Sequence, residues 1–196
     1  MSVVIGIDPG VSGAIALYDT STQKIVAIYD IPNWNVVVAK KKRKRVDIVQ
    51  LRQAFGFIKA FNPALVVIEA VGGRPGQSAS AGYVFGYTVG LLSMACMYEK
   101  LYVETIPPTV WKKVLKVEGK KGKMKKVADT SIVNRAEQLF VSQEGLFRNA
   151  RGTLLVDRAE AAMLAKFGGD YVLPTLSPWV SDSEFFQLVQ DKIKSV

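Results

Sequence analysis

The sequence predicts an α/β fold: a mixed five-stranded sheet flanked by helices. Three observations predict it. Residues 3–31 hold three short apolar runs separated by turn residues, which read as an antiparallel meander. From residue 47 the hydrophobic period changes, and helical and strand-like segments alternate, the order that makes part of a sheet parallel. "PALVVIEA" (63–70) is apolar at almost every position, as a strand covered on both faces must be.

The elements follow in order. Residues 3–8 ("VVIGID") form the first strand. "PG" and Gly13 turn the chain, 14–19 returns as the second strand, and 24–31 ("KIVAIYDI") is the third. Residues 32–46 are expected to be a link. Residues 47–61 ("DIVQLRQAFGFIKAF") place Ile48, Leu51, Phe55 and Ile58 on one helical face, with Asp47 as N-cap. The strand at 63–70 is the fourth, in a central parallel position. A Gly/Pro loop, "VGGRPGQS" (71–78), leads into an uncharged helix over 78–99. "KLYVETI" (100–106) is the fifth strand. "PPTVWKKVL" (107–115) begins a helix with proline in its first turn. Helices over 127–141 and 154–167 ("LLVDRAEAAMLAKF") flank a loop, "RNARGT" (148–153). The segment 171–196 is proline-punctuated and ends in a short amphipathic helix. The chain is thus expected to divide into one domain, 1–170, and a C-terminal extension, 171–196.

The uncharged stretch from Pro75 to Tyr98 is long enough to cross a bilayer. Gly82, Gly86 and Gly90 recur every fourth residue, as at close helix crossings in membranes. Its Gln77, Ser78, Ser80, Tyr83, Tyr87, Thr88 and Ser93 favour a buried helix of a soluble protein instead, with no membrane as partner.

The chain has 196 residues, 49% of them hydrophobic, enough for one domain with a sizeable core. Its net charge of +9 points to an anionic partner, with nucleic acid first and a membrane surface second. "KKKRKR" (40–45) and "KKGKMKK" (120–126) hold much of the excess. Either run alone reads equally well as a solvated face. Two in one small domain favour polyanion binding. The first also fits a nuclear address, a pattern frequent by chance. The single cysteine, Cys96, rules out a disulfide framework. No segment has the layout of a signal peptide, so a cytoplasmic setting is expected.

Two carboxylates end apolar strands: Asp8 closes "VVIGID" and Glu69 closes "ALVVIE". Asp157 and Glu160 are spaced i, i+3 in an alanine-rich helix and share one face of it. Gathered at one end of the sheet, the four would form an acidic cluster in a basic protein. Like charges a few Å apart raise each other's pKa, and partial burial adds a desolvation cost. Divalent cations offset both with hard oxygen ligation. Two ions roughly 3.5–4 Å apart would clamp a phosphodiester for in-line hydrolysis. Each acid also has a structural reading. Asp-Pro-Gly is an ordinary turn. Glu69 could pair with Arg74, and Asp157 and Glu160 could flank Arg158 as surface charges. The chain has no histidine, which removes the commonest general base and the usual zinc ligand. No P-loop or Gly-x-Ser-x-Gly elbow appears.

"GIDPGVSGA", "VVIEAV", "PPTVWKK" and "DRAEAAMLA", in this order within residues 3–168, resemble the RuvC-like Holliday junction resolvases, the phage-type members most. The resemblance implies an RNase H-like fold. It implies a homodimer that cuts two strands of a four-way DNA junction symmetrically in recombination and repair, with Mg²⁺ or Mn²⁺, two ions per site, and no nucleotide cofactor. Asp8 would bridge the metals from the first strand, Glu69 would end the fourth strand, and Asp157 and Glu160 would come from the last helix. Lys112, Lys113, Lys120, Lys121, Lys123, Lys125 and Lys126 match the basic region that faces DNA. Arg74, Lys41 and Arg43 are further candidate contacts. The helix at 78–99 corresponds to the one that builds the dimer interface, a second account of its glycines.

The resemblance departs at two points. Glu160 stands where many members have Asp. "AVGGRPGQS" lacks the aromatic that bacterial members carry after the strand-four glutamate to stack at the junction centre, leaving Tyr83 or Phe85 as substitutes. A broader branched-DNA nuclease, acting on flaps and forks, is therefore the first alternative. An ATP-dependent kinase-like protein, whose phosphate loop also reads Asp-x-Gly, and a non-catalytic DNA-binding protein are the others.

Overall fold

β1 (Val3–Asp8), β2 (Ala14–Asp19) and β3 (Lys24–Asp30) run antiparallel, each to the next, in the computed structural model. The structure describes residues 2–38, 40–70, 72, 76, 78–117 and 125–176, and the backbone alone at Lys41, Lys125 and Lys126. β4 (Asn33–Val38) and β5 (Lys41–Val46) pair antiparallel as a separate two-stranded hairpin. α1 (Ile48–Lys59) follows, capped by Asp47, whose carboxylate accepts from the Gln50 N–H at 3.0 Å. β6 (Leu65–Glu69) enters the sheet parallel to β1. After α2 (Ala79–Tyr98), β7 (Val103–Ile106) adds parallel to β6. The sheet order is β3-β2-β1-β6-β7, the mixed five-stranded sheet that the sequence predicts. α3 (Pro108–Val114), α4 (Lys125–Leu139) and α5 (Val156–Phe167) complete the described helices.

Strand alternation divides the core into two layers. Val4, Ala14, Ala16, Tyr18, Leu65 and Val67 pack under α4, α5 and Trp111 of α3. Val3, Ile5, Ile7, Ile15, Leu17, Val66 and Ile68 pack against α1 and one stripe of α2. The α5 layer is unusually close. A Cβ at Gly6 of β1 would collide with the Ala161 carbonyl oxygen and the Ala165 backbone nitrogen. Glycine on the strand and alanines on the helix let the two backbones touch. That contact fixes where the first turns of α5 lie over the end of β1.

Three expectations are corrected. The link at 32–46 is the β4–β5 hairpin, so the first basic run is a strand. Ile48 is exposed, unlike Leu51, Phe55 and Ile58, because the first turn of α1 overhangs the base of the hairpin rather than the sheet. α2 is not a buried helix. Of its residues only Thr88, Leu92 and Cys96 are buried, while Tyr83, Tyr87, Met94, Met97 and Tyr98 are exposed and a Cβ at Gly82, Gly86 or Gly90 would meet open space. The sheet covers one stripe of a helix that is apolar all round. Beyond α5 the chain continues through one π turn (Gly168–Val172) and one 3-10 turn (Leu173–Thr175), with Val172, Leu173 and Leu176 against the core. The helix expected at the C-terminus lies outside the described residues.

Candidate active site

The strand register brings the first two acids together. Ile7 of β1 is the parallel partner of Ile68 in β6, so Asp8 and Glu69 each follow at the carboxyl end of adjacent strands. In open α/β sheets that edge is where ligands bind. The turn after Asp8 is tight. The Gly10 N–H donates to the Asp8 carboxylate. The Gly13 N–H donates to the Gly10 carbonyl at 2.8 Å. A Cβ at Gly13 would strike the Asp8 carbonyl oxygen, so only glycine closes the turn this near the strand end.

α5 supplies the other pair. Its placement against Gly6 turns Asp157 and Glu160 toward Asp8, and each of the three brings a carboxylate oxygen within 4.8 Å of the others. Arg158, between them in sequence, points elsewhere and forks onto Asp30 with two bonds of 2.6 Å. The reading of Asp157 and Glu160 as surface charges flanking Arg158 therefore does not describe the structure. Glu69 is buried. Its Oε1 accepts from the Trp111 Nε1 at 3.1 Å and lies 3.7 Å from the Lys112 ammonium. The same ammonium is 2.6 Å from Glu160 Oε1, so Lys112 bridges the two acids from α3.

The electrostatics follow from this crowding. Burial pushes the Asp8 carboxyl well above the usual range, and the charges of Glu160, Asp157 and Glu69 push it further, against the Gly10 N–H. Asp157 reaches the surface, but its carboxyl turns into the cluster. The loss of water and then the charge of Glu160 raise it, against a hydrogen bond with Asp8, with Asp30 and Asp129 adding to the rise. Both carboxyls therefore hold a proton to higher pH than an isolated Asp does. The donor set is all carboxylate oxygen, held close at an electrostatic cost that positive charge would relieve. Such a set fits Mg²⁺ or Mn²⁺ and not a soft metal.

Of the remaining predicted residues, five fall on described elements and four outside the described residues. Lys113 is exposed on α3, and Arg43 is exposed on β5. Lys41 falls in β5, and Lys125 and Lys126 begin α4. Lys120, Lys121, Lys123 and Arg74 lie outside the described residues, as does any Glu69–Arg74 pairing. Two residues escaped the sequence reading. Trp111 is the buried donor to Glu69, and its signal was its place between the prolines and lysines of "PPTVWKK". Lys44 donates to the Ser12 hydroxyl at 2.7 Å, so the hairpin leans on the turn after Asp8. Nothing in the sequence marks that contact.

No protein-family model matches the sequence, and no curated protein sequence does. Solved structures do. The T. thermophilus RuvC in complex with a Holliday junction substrate superposes with a TM-score of 0.64 at 16% identity, over 89% of this chain and 96% of that one. A second structure of Thermus thermophilus RuvC gives 0.50 at 15% identity, over 88% and 96%. The yeast mitochondrial Holliday junction resolvase gives 0.42 at 19%, over 84% and 76%. The first two matches establish the fold: the sheet and its flanking helices are RNase H-like, in the arrangement that RuvC has.

Proposed function

We propose that the protein is a divalent-cation-dependent endodeoxyribonuclease that resolves four-way (Holliday) junctions by paired symmetric nicks. The convergence of Asp8, Asp157 and Glu160 at the end of β1, with Glu69 ending the next strand, carries the reading. The junction substrate bound to a structural neighbour of the same fold supports branched DNA as the substrate class.

Asp8, Glu69, Asp157 and Glu160 would hold the cations, two per site. Mg²⁺, or Mn²⁺ in its place, would supply an activated water and a Lewis acid for the leaving oxygen of a phosphodiester. The protein's own residues set the stage. Asp8 and Asp157, whose carboxyls hold their protons to raised pH, would have to be deprotonated to act as ligands. Trp111 holds Glu69 in one orientation from its buried side. Lys112, paired with Glu160 and Glu69, sets a positive charge beside the cluster. Symmetric nicking needs two such centres, and the outward face of α2 fits a second copy of this chain. It is apolar, exposed, and opened by Gly82, Gly86 and Gly90 for close helix approach.

The test is cleavage of a labelled four-way junction in Mg²⁺, with linear duplex and the Asp8→Asn variant as controls. Paired nicks at symmetric positions, absent with the variant and on the duplex, are the expected result. Equal cutting of flaps and forks would make the protein a broader branched-DNA nuclease. Nicks that persist in the variant would contradict the site.

A further inference from the structure

We propose that Arg158 is a positioning residue of the cation site: its fork on Asp30 fixes the rotation of α5 about its axis, and with it where Asp157 and Glu160 stand against Asp8. The inference rests on the reading of the four acids as cation ligands. The Arg158 guanidinium donates through Nε and Nη2 to the two carboxylate oxygens of Asp30, each at 2.6 Å.

The sequence places Arg158 on the stripe of α5 that faces the sheet. Arg158, Ala161, Ala162 and Ala165 stand at i, i+3, i+4 and i+7, and the three alanines are buried. The backbone of Ala161 and Ala165 is what meets Gly6. Alanine against glycine brings helix and strand close but offers no side chain that stops the helix from turning. The start of α5 does not supply one either. Leu155, at the N-cap, makes no side-chain cap, and its N–H goes to the Phe147 carbonyl at 2.9 Å. Arg158 reaches across to the sheet from the first turn, where Asp157 and Glu160 also lie.

Asp30, the sheet end of the fork, is level with Asp8. Asp8 pairs with Ala14, and Ala14 pairs with Asp30, so the three share one row and one face of the sheet. Arg158 is thus tied to the row of Asp8 while its neighbour Asp157 turns to Asp8 itself. A guanidinium forked onto a carboxylate has one planar geometry, which a lysine ammonium does not impose. Successive residues of a helix are roughly 100° apart, so fixing Arg158 fixes the bearing of Asp157 and Glu160.

Charge and geometry make opposite predictions here. With side chains 30% and 59% exposed, the pair adds little to global stability, as surface ion pairs do. Asp30 is close enough for its charge to push the Asp157 carboxyl up. Removing the arginine leaves one more uncompensated negative charge beside the acids. By charge alone that tightens cation binding. Loss of the position of the acids weakens it.

The test is calorimetric titration of the full chain with Mn²⁺, beside Arg158→Met, Arg158→Lys, Asp30→Asn and the Arg158→Met/Asp30→Asn double variant, with Tm in EDTA recorded for each. Arg158→Met is expected to weaken Mn²⁺ binding by about tenfold, as loss of residues that orient metal ligands does. Asp30→Asn gives a similar loss, and the double variant loses no more than either, because the same fork is broken in all three. Arg158→Lys, which keeps the charge without the fork, recovers little. Tm in EDTA changes little. On a labelled junction kcat falls while KM for DNA holds, since an arginine engaged by Asp30 is not a phosphate contact. Tighter Mn²⁺ binding by Arg158→Met would leave charge as its only role and overturn the proposal. So would full recovery by Arg158→Lys, additive losses, a loss that merely follows a fall in Tm, or a raised KM with a lower salt slope, the mark of a phosphate contact. A wild type that binds no Mn²⁺ would overturn the cation site and this role together. A wild type that binds it, with variants that bind it equally, would overturn the role of Arg158 and keep the site.

Discussion

Asp8 sits where burial and three carboxylates all act against its charge. Its pKa in the folded chain lies above the ordinary Asp value of about 3.9. Between those two values the native state keeps a proton that the unfolded chain has released. Without cations, stability is therefore fully present below the unfolded value, falls as pH rises through that window, and levels off above the folded pKa. Asp8→Asn removes the titrating group and relieves the repulsion. The variant is expected to melt higher than wild type in EDTA at pH 8, with a flatter dependence of Tm on pH between 4 and 8, and to cut no DNA. A variant that melts lower and keeps the wild-type slope would mean that Asp8 is not the strained group. The acids themselves were legible in the sequence, because each ends an apolar strand or repeats at helical spacing. Their partners were not. The Trp111–Glu69 and Lys112–Glu160 contacts join residues 42 and 48 positions apart, and only the folded register brings them together.

Among the elements, α5 against β1 positions the site. Gly6→Ala places a methyl group against the α5 backbone, which has no flexible side chain to yield. The change is expected to cost at least about 1–3 kcal/mol in urea unfolding, as overpacking does, and to weaken Mn²⁺ binding by displacing Asp157 and Glu160. Normal stability would show that α5 lies further from β1. The central strands and α5 were legible from period and composition. The hairpin was hidden because lysine and arginine occupy both faces of β5, masking the alternation that marks a strand. Its one signal was the valine run 36–38. For α2, composition said "buried" because it cannot say how many faces the sheet will cover. Gly86 is exposed with open space at its Cβ position, so Gly86→Arg should fold normally. If α2 joins two copies, sedimentation will show the variant as a monomer at concentrations where the wild type is a dimer. Equal masses would exclude this face.

For the molecule as a whole, a basic chain gathers four of its acids at the carboxyl end of two central strands. Its two basic runs should govern DNA affinity, so binding is expected to fall steeply and log-linearly with salt. A flat response would remove the hairpin lysines and arginines from the interface. The mixed five-stranded sheet was readable because three turn-separated strands followed by alternating helices and strands permit few arrangements, while the strand order within it comes from the structure. The functional cluster was half readable. The sequence shows which acids are costly to bury, while their distances depend on helix packing set by Gly6.

Nuclease chemistry at this site requires that those acids bind cations. A calorimetric titration of the full chain with Mn²⁺ alone, beside Asp8→Asn and Asp157→Asn, measures this directly. Two ions per wild-type chain are predicted, with proton release that grows as pH falls because the Asp8 and Asp157 carboxyls are raised, a rise in Tm, and loss of at least one ion in each variant. No heat beyond dilution, or identical isotherms for all three proteins, would contradict it.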